Sequence, residues 1–242
     1  MRSSLATALL LAGCLALRAP AAHAQATFSI GPRVGLNLAT FHFGESQPGT
    51  VGFRAGFEAG LVGSAGFGHF ALQPALLYSQ KGHTFRTPVD VRTANNLPFS
   101  SGELLQKDRL NYLTLPLNVA YRQHPDGQGF QVVAGPYLGL LLSGSYEVTI
   151  TANGSPVATD SGRITPVAND GPDFGACARR FDAGLQGGLG YRYQAWLLEL
   201  DYSLGLRDVA ARHHDNGVPV GLASYYNRVF QVSLAYLLGP KG

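Results

Sequence analysis

The sequence predicts an all-β protein, an antiparallel up-and-down barrel of eight strands. Three observations predict it. Eight segments alternate apolar and polar residues with period two. The links between them alternate short and long. Composition excludes the ordinary alternatives, with only 14% of residues charged, 31 Gly, and 13 Phe and 11 Tyr in 242 residues. Low charge with many aromatics excludes disorder, and few charges with much Gly do not suit a soluble α/β enzyme.

Residues 1–24 are expected to be a secretory leader, leaving 25–242 as the barrel domain. Arg2 precedes the apolar stretch Leu5 to Leu17, which is too short to cross a bilayer as a helix. Ala22-His23-Ala24 is a small-x-small cleavage site. Leu11-Ala12-Gly13-Cys14 is a competing lipobox-like reading, but Leu15-Ala16-Leu17 continues the apolar region where a lipoprotein turns polar. Without Arg2 and Arg18 the formal charge falls from +3 to +1. No polybasic run points to nucleic acid. The mature chain then keeps one cysteine, Cys177, which cannot form an internal disulfide.

The first segment, Phe28 to Phe41, sets Phe28, Ile30, Val34, Leu36 and Leu38 against Ser29, Gly31, Arg33, Gly35 and Asn37. The second, Val51 to Val62, sets Phe53, Phe57 and Leu61 against Arg54, Gly56, Glu58 and Gly60. The third, Gly68 to Gly82, sets Phe70, Leu72, Leu76 and Tyr78 against Gln73, Ala75, Ser79 and Lys81. The fourth, Asp108 to Arg122, carries Leu113, Leu115, Leu117, Val119 and Tyr121 on one face. The fifth, Gly129 to Tyr146, is almost wholly apolar and poorly phased. The sixth, Arg180 to Tyr193, opposes Phe181, Leu185, Leu189, Tyr191 and Tyr193 to Asp182, Gln186 and Arg192. The seventh, Trp196 to Leu206, opposes Trp196, Leu198, Leu200 and Tyr202 to Glu199, Asp201 and Ser203. The eighth, Asn227 to Leu238, opposes Phe230, Val232, Leu234 and Tyr236 to Gln231 and Ser233.

Short links follow the second, fourth and sixth segments. Long ones include residues 83–107 and 147–179, both expected as loops. This pattern suits a transmembrane barrel with short periplasmic turns and long extracellular loops, and an even count leaves both termini periplasmic. Size decides which face meets lipid. An eight-stranded barrel has room inside only for side chains, so the Leu, Phe and Tyr face must point outward and the Gly, Ser, Asn and Gln face inward. Outer-membrane lipid is then the expected surroundings of the outward face.

The inward parity holds Arg33, Arg54, Lys81 and Arg192 with Glu58, Asp182, Glu199 and Asp201. Charges withdrawn from water must be paired, so these eight are expected to form a balanced polar network in the lumen. That argues against an open pore for small solutes.

Several stretches resemble the PorT-like outer-membrane β-barrel proteins. They are Gly31-Pro32-Arg33-Val34-Gly35-Leu36-Asn37, Gly52-Phe53-Arg54-Ala55-Gly56, and the run Leu72 to Gly82 beginning Leu-Gln-Pro. Leu110-Asn111-Tyr112-Leu113-Thr114-Leu115-Pro116-Leu117, Ala134-Gly135-Pro136-Tyr137-Leu138-Gly139 and Phe230 to Tyr236 follow in order. Two departures stand out: Ala75 where the family often has an acidic residue, and Gly-Pro-Lys-Gly after Leu238 in place of a terminal aromatic. The resemblance implies an outer-membrane barrel with a link to protein secretion, and the leading expectation is a non-enzymatic barrel acting as a structural component or as a partner of a secretion or surface assembly, with other envelope or secretion proteins as partners. Two alternatives remain. A small lipid-modifying enzyme could draw on His213-His214-Asp215 and Ser224; a small-solute pore would need an open lumen. No Walker loop, dinucleotide fingerprint or zinc spacing is present, so no cofactor is expected. Asn169, Asp170 and Asp173 read as a solvated loop before a calcium site, and Asn153-Gly154-Ser155 is a formal glycosylation sequon.

Overall fold

A computed structural model describes residues 27–44, 49–91, 100–168, 176–211, 213–215, 218–220 and 224–239. The expected leader and the triplet Asn169, Asp170 and Asp173 lie outside them.

The described residues form strands β1 (Thr27–Phe43), β2 (Thr50–Gly52), β3 (Arg54–Phe67), β4 (Phe70–Val91), β5 (Ser100–Arg122), β6 (Gly129–Ala152) and β7 (Ser155–Val167). They continue with β8 (Cys177–Arg179), β9 (Phe181–Tyr193), β10 (Trp196–Gly205), β11 (His213–Asp215), β12 (Val218–Val220) and β13 (Tyr225–Tyr236). Eight of these pair into a ring. β1 pairs with β3, β3 with β4, β4 with β5, β5 with β6, β6 with β9, β9 with β10 and β10 with β13. The ring closes where β13 returns to β1, antiparallel, with Arg33 opposite Ala235 and Phe41 opposite Asn227. Through the height of the ring each strand therefore has two partners, and the sheet has no open edge there.

The short links are tight. Gly68, at φ +58°, lies in the β3–β4 turn, and Gln194, at φ +55°, begins the Gln194-Ala195 turn between β9 and β10.

Side chains alternate as the period-two patterns require. Phe28, Val34, Leu36, Phe57, Leu72, Val119, Phe130, Leu189, Trp196, Leu200 and Phe230 are all exposed on the outside. Arg33, Asn37, Glu58, Gln73, Ser79, Lys81, Gln131, Asp182, Gln186, Glu199, Asp201 and Gln231 are buried inside. This is the reverse of a soluble barrel, and the outward band far exceeds the apolar patch a soluble surface tolerates.

The long links differ from expectation. Residues 83–107 are mostly strand, because β4 runs on to Val91 and β5 begins at Ser100, paired from Val91–Ser100 downward. Residues 147–179 are also not a plain loop: β6 continues to Ala152 and turns back as β7. Asn153-Gly154, read above as a sequon, is that turn, with φ +50° and +78°. Two consecutive positive φ values, in an Asn-Gly pair, are what a two-residue hairpin turn with the right-handed strand twist demands. The result is a blade of β4, β5, β6 and β7 that rises past the rest of the ring at the long-link end. The second segment is also interrupted, since β2 pairs only with β4 and Phe53 separates it from β3. In the last long link β11 pairs with β12.

Candidate functional site

The interior is organised around Arg33 on β1. Its Nε donates to Glu58 Oε1 at 3.0 Å, one terminal nitrogen to Glu199 Oε2 at 2.7 Å and the other to Asp201 Oδ2 at 2.9 Å. All four side chains are almost fully buried. Guanidinium supplies donors in a fixed planar fork, which lets one residue meet three carboxylates at once. The carboxylates are held in turn. Gln231 Nε2 donates to Glu58 Oε2 at 2.9 Å, and Ser203 Oγ donates to Gln231 Oε1 at 2.8 Å. Gln131 Nε2 donates to Glu199 Oε1 at 2.9 Å, and Gln131 is joined to Gln73.

A second cluster lies further toward the long-link end. Lys81 Nζ donates to Asp182 Oδ2 at 3.0 Å, and the same oxygen accepts from Tyr137 Oη at 3.2 Å and Asn227 Nδ2 at 2.9 Å. The Lys81 ammonium also sits 4.5 Å from the Tyr137 ring centre and 5.0 Å from that of Tyr112, close enough for cation–π attraction. Asn37 Nδ2 bridges to Ser79 Oγ at 2.9 Å. Together the two clusters draw a side chain from every strand of the ring. Inward glycines make the room. A Cβ at Gly188 would collide with Asp201 and with the Leu200 carbonyl.

Apolar groups close both ends of this polar core. Toward the short links, Val62, Leu77, Leu197 and Leu237 pack together. Toward the long links, Phe41 stacks on Tyr225 and on His83 at 4.6 and 4.3 Å between ring centres. Leu110, Tyr112, Leu141 and Val209 complete that layer. Val209 enters on a folded-in segment that Asp208 fastens. Asp208 accepts from the backbone N–H groups of Ala210 and Tyr225 and from the hydroxyl of Ser224.

Six of the eight charges expected in the lumen meet there, and two do not. Arg192 lies half-exposed beside the β9–β10 turn, where its Nε donates to the Gln194 carbonyl. Arg54 begins β3 at the opposite end, partly buried, within the electrostatic reach of Arg109, Asp108 and Glu147. The central network therefore sets two cations against four carboxylates, not four against four. Strand parity tells which way a side chain points but not at what height, and these two arginines stand at the rims. Tyr137 and Asn227 were missed. Tyr137 sits in the poorly phased fifth segment, although its parity opposite Leu138 was a usable signal. Ser224 is engaged by Asp208, while the side chains of His213, His214 and Asp215 lie outside the described residues.

Above the apolar band, on the paired β4 and β5 extensions, His83 faces Asp108, with Nδ1 and Oδ2 3.8 Å apart. Burial pushes the Asp108 carboxyl up to about 6, opposed by hydrogen bonds from Gln106. Burial also pulls the His83 imidazole down to about 4, with Arg54 acting in the same direction.

A closed ring with an apolar outer band and a polar, side-chain-filled interior defines a membrane-spanning barrel. Residues 23–211 match the family described as outer membrane protein beta-barrel domain, and the chain belongs to that family. Its place is the outer membrane. Among solved structures the fold is similar to Ail, the attachment invasion locus protein of Yersinia pestis. The identity there is 10%, with 88% of this chain and 99% of that chain covered and a TM-score of 0.41. It is also similar to OprG from Pseudomonas aeruginosa, at 12% identity, 89% and 97% coverage and a TM-score of 0.33. No curated protein matches the sequence.

Proposed function

We propose that this protein is a non-enzymatic, non-conducting outer-membrane barrel that acts as a docking platform for another envelope component. The observation that carries the reading is the contrast between interior and rim. The lumen is filled by interlocked side chains from all eight ring strands, while β4 to β7 project as a blade with exposed residues such as Val157. The narrow bore of eight strands and the buried Arg33 cluster leave solutes no path. The paired blade instead presents a surface for contact. The resemblance to PorT-like barrels supports a partner within a secretion or surface assembly.

In this reading the short links face the periplasm and the blade faces outward. A cysteine at Ser155, in a Cys177→Ser chain, would then react with a membrane-impermeant maleimide on intact cells. A photocrosslinker at Val157 is expected to trap one defined envelope protein in intact outer membranes. Crosslinks to lipid only, or swelling of liposomes that contain the homogeneous protein, would overturn the reading.

A further inference from the structure

We propose that the outer face of β5, β6 and β7, just above the apolar band, is a docking site for the phosphorylated headgroup of an outer-leaflet glycolipid. The proposal rests on the orientation argued above, with the blade outward.

The register builds the site. Arg109 on β5 stands opposite Ser145 on β6, and Ser145 stands opposite Arg163 on β7. All three side chains are exposed on the same face. Adjacent strands lie about 4.8 Å apart, so the two arginines begin roughly 10 Å apart with a serine hydroxyl between them. Side chains of that length converge on one phosphate seated over Ser145, and guanidinium is the group best matched to phosphate oxygens.

Neighbouring rows fix the identity of the occupant. One row nearer the membrane, Asn111 Nδ2 donates to Ser143 Oγ at 3.0 Å, giving a neutral polar surface suited to sugar hydroxyls. Below that come Leu113, Leu140 and the exposed Leu142, the start of the apolar band. One row further out, the carboxylate of Glu147 is engaged by Lys107 at 3.5 Å. Among the described residues, neither Arg109 nor Arg163 has an ion-pair partner. Two uncompensated guanidiniums, then hydroxyls and an amide, then leucines match phosphate, sugar and acyl chain in the order in which a phosphorylated glycolipid presents them at the bilayer surface. An ordinary phospholipid would bring only ester carbonyls to the middle row, and these cannot donate to the Asn111 Oδ1, which has no partner among the described residues, whereas a sugar hydroxyl can.

The test uses the full folded chain in mild detergent, titrated with a bisphosphorylated lipid A and with its dephosphorylated form. Wild-type protein is expected to bind the phosphorylated form at least tenfold more tightly. Arg109→Gln/Arg163→Gln should lose that preference, each single change should lose part of it, and Lys107→Gln should lie within twofold of wild type. Heat-modifiable gel migration checks that each variant is folded. Equal binding of both lipids, an unaffected double variant, or equal competition by phosphatidylglycerol would overturn the proposal. The maleimide experiment at Ser155 judges the orientation separately, since the detergent titration does not depend on it.

Discussion

Glu199 and Asp201, two residues apart on β10, hold the two terminal nitrogens of Arg33 at 2.7 and 2.9 Å, while Glu58 holds its Nε from the other side of β1. One cation thus ties β10 to β1 and β3 across the bore.

Removing that cation should be severe. Arg33→Met leaves three buried carboxylates without their common partner, and breaking a buried ion pair from one side costs about 3–5 kcal/mol. Its thermal midpoint, followed by heat-modifiable migration, should fall steeply, or the barrel should fail to assemble. Glu199→Gln should be mild, because Arg33 keeps two carboxylates and Gln131 can still bond to the new amide. Equal damage from both changes would show that the cluster does not work through charge.

Lys81 and Asp182 make a complementary case. Lys81→Met strands the Asp182 carboxylate among Tyr137, Tyr112 and Asn227. Adding Asp182→Asn removes the stranded charge and should recover more than half of the loss. A double-mutant cycle on unfolding in urea measures the coupling directly.

His83 and Asp108 predict a pH profile. The Asp108 carboxyl, raised to about 6 from 3.8, favours the folded state when protonated, so its contribution is lost as pH rises from about 4 through 6. The His83 imidazole, lowered to about 4 from 6.5, favours the folded state when neutral, so its contribution is lost as pH falls from 6.5 through 4. The two slopes oppose each other across the same window. Protection of the β4–β5 extension, read by hydrogen exchange corrected for intrinsic rates, should be nearly flat from pH 4 to 6.5. His83→Gln should make it decline with rising pH, and Asp108→Asn should make it climb. Parallel behaviour of the two variants would refute the assignment.

The blade should fail without the barrel. Gly154→Val forces a β-branched residue to φ +78°, which costs about 1 kcal/mol or more locally. Trypsin or proteinase K should nick the β6–β7 hairpin faster in this variant, while heat-modifiable migration of the ring stays as in wild type. A lowered barrel midpoint would mean that the hairpin supports the ring.

How much of this was legible in the sequence depended on the bilayer. Where a strand has lipid on one side and the packed lumen on the other, period two is enforced, and Leu36 and Arg33 could be assigned to opposite faces by inspection. Past the apolar band that contrast ends. Thr149, Thr151 and Thr159 have no lipid on either side, so the β6–β7 hairpin carried no one-sided apolar pattern and read as a loop. The Asn153-Gly154 pair was the one local signal of its turn. Heights were equally hidden. Arg192 and Arg33 share a parity, but only the register with the β9–β10 turn places Arg192 at the rim.

The pairing of β1 with β13 also joins the first and last ring strands in one seam. Until that seam forms, β1 and β13 each present an unpaired backbone edge. The Arg33 contacts to Glu199 and Asp201 span the same seam, since β10 lies beside β13. Seam and charge cluster are therefore coupled in space, with Glu58 alone among the three carboxylates on the β3 side of Arg33. Parting this seam would expose two backbone edges and strand buried charge at once, so the closure of the sheet and the neutrality of its interior stand or fall together.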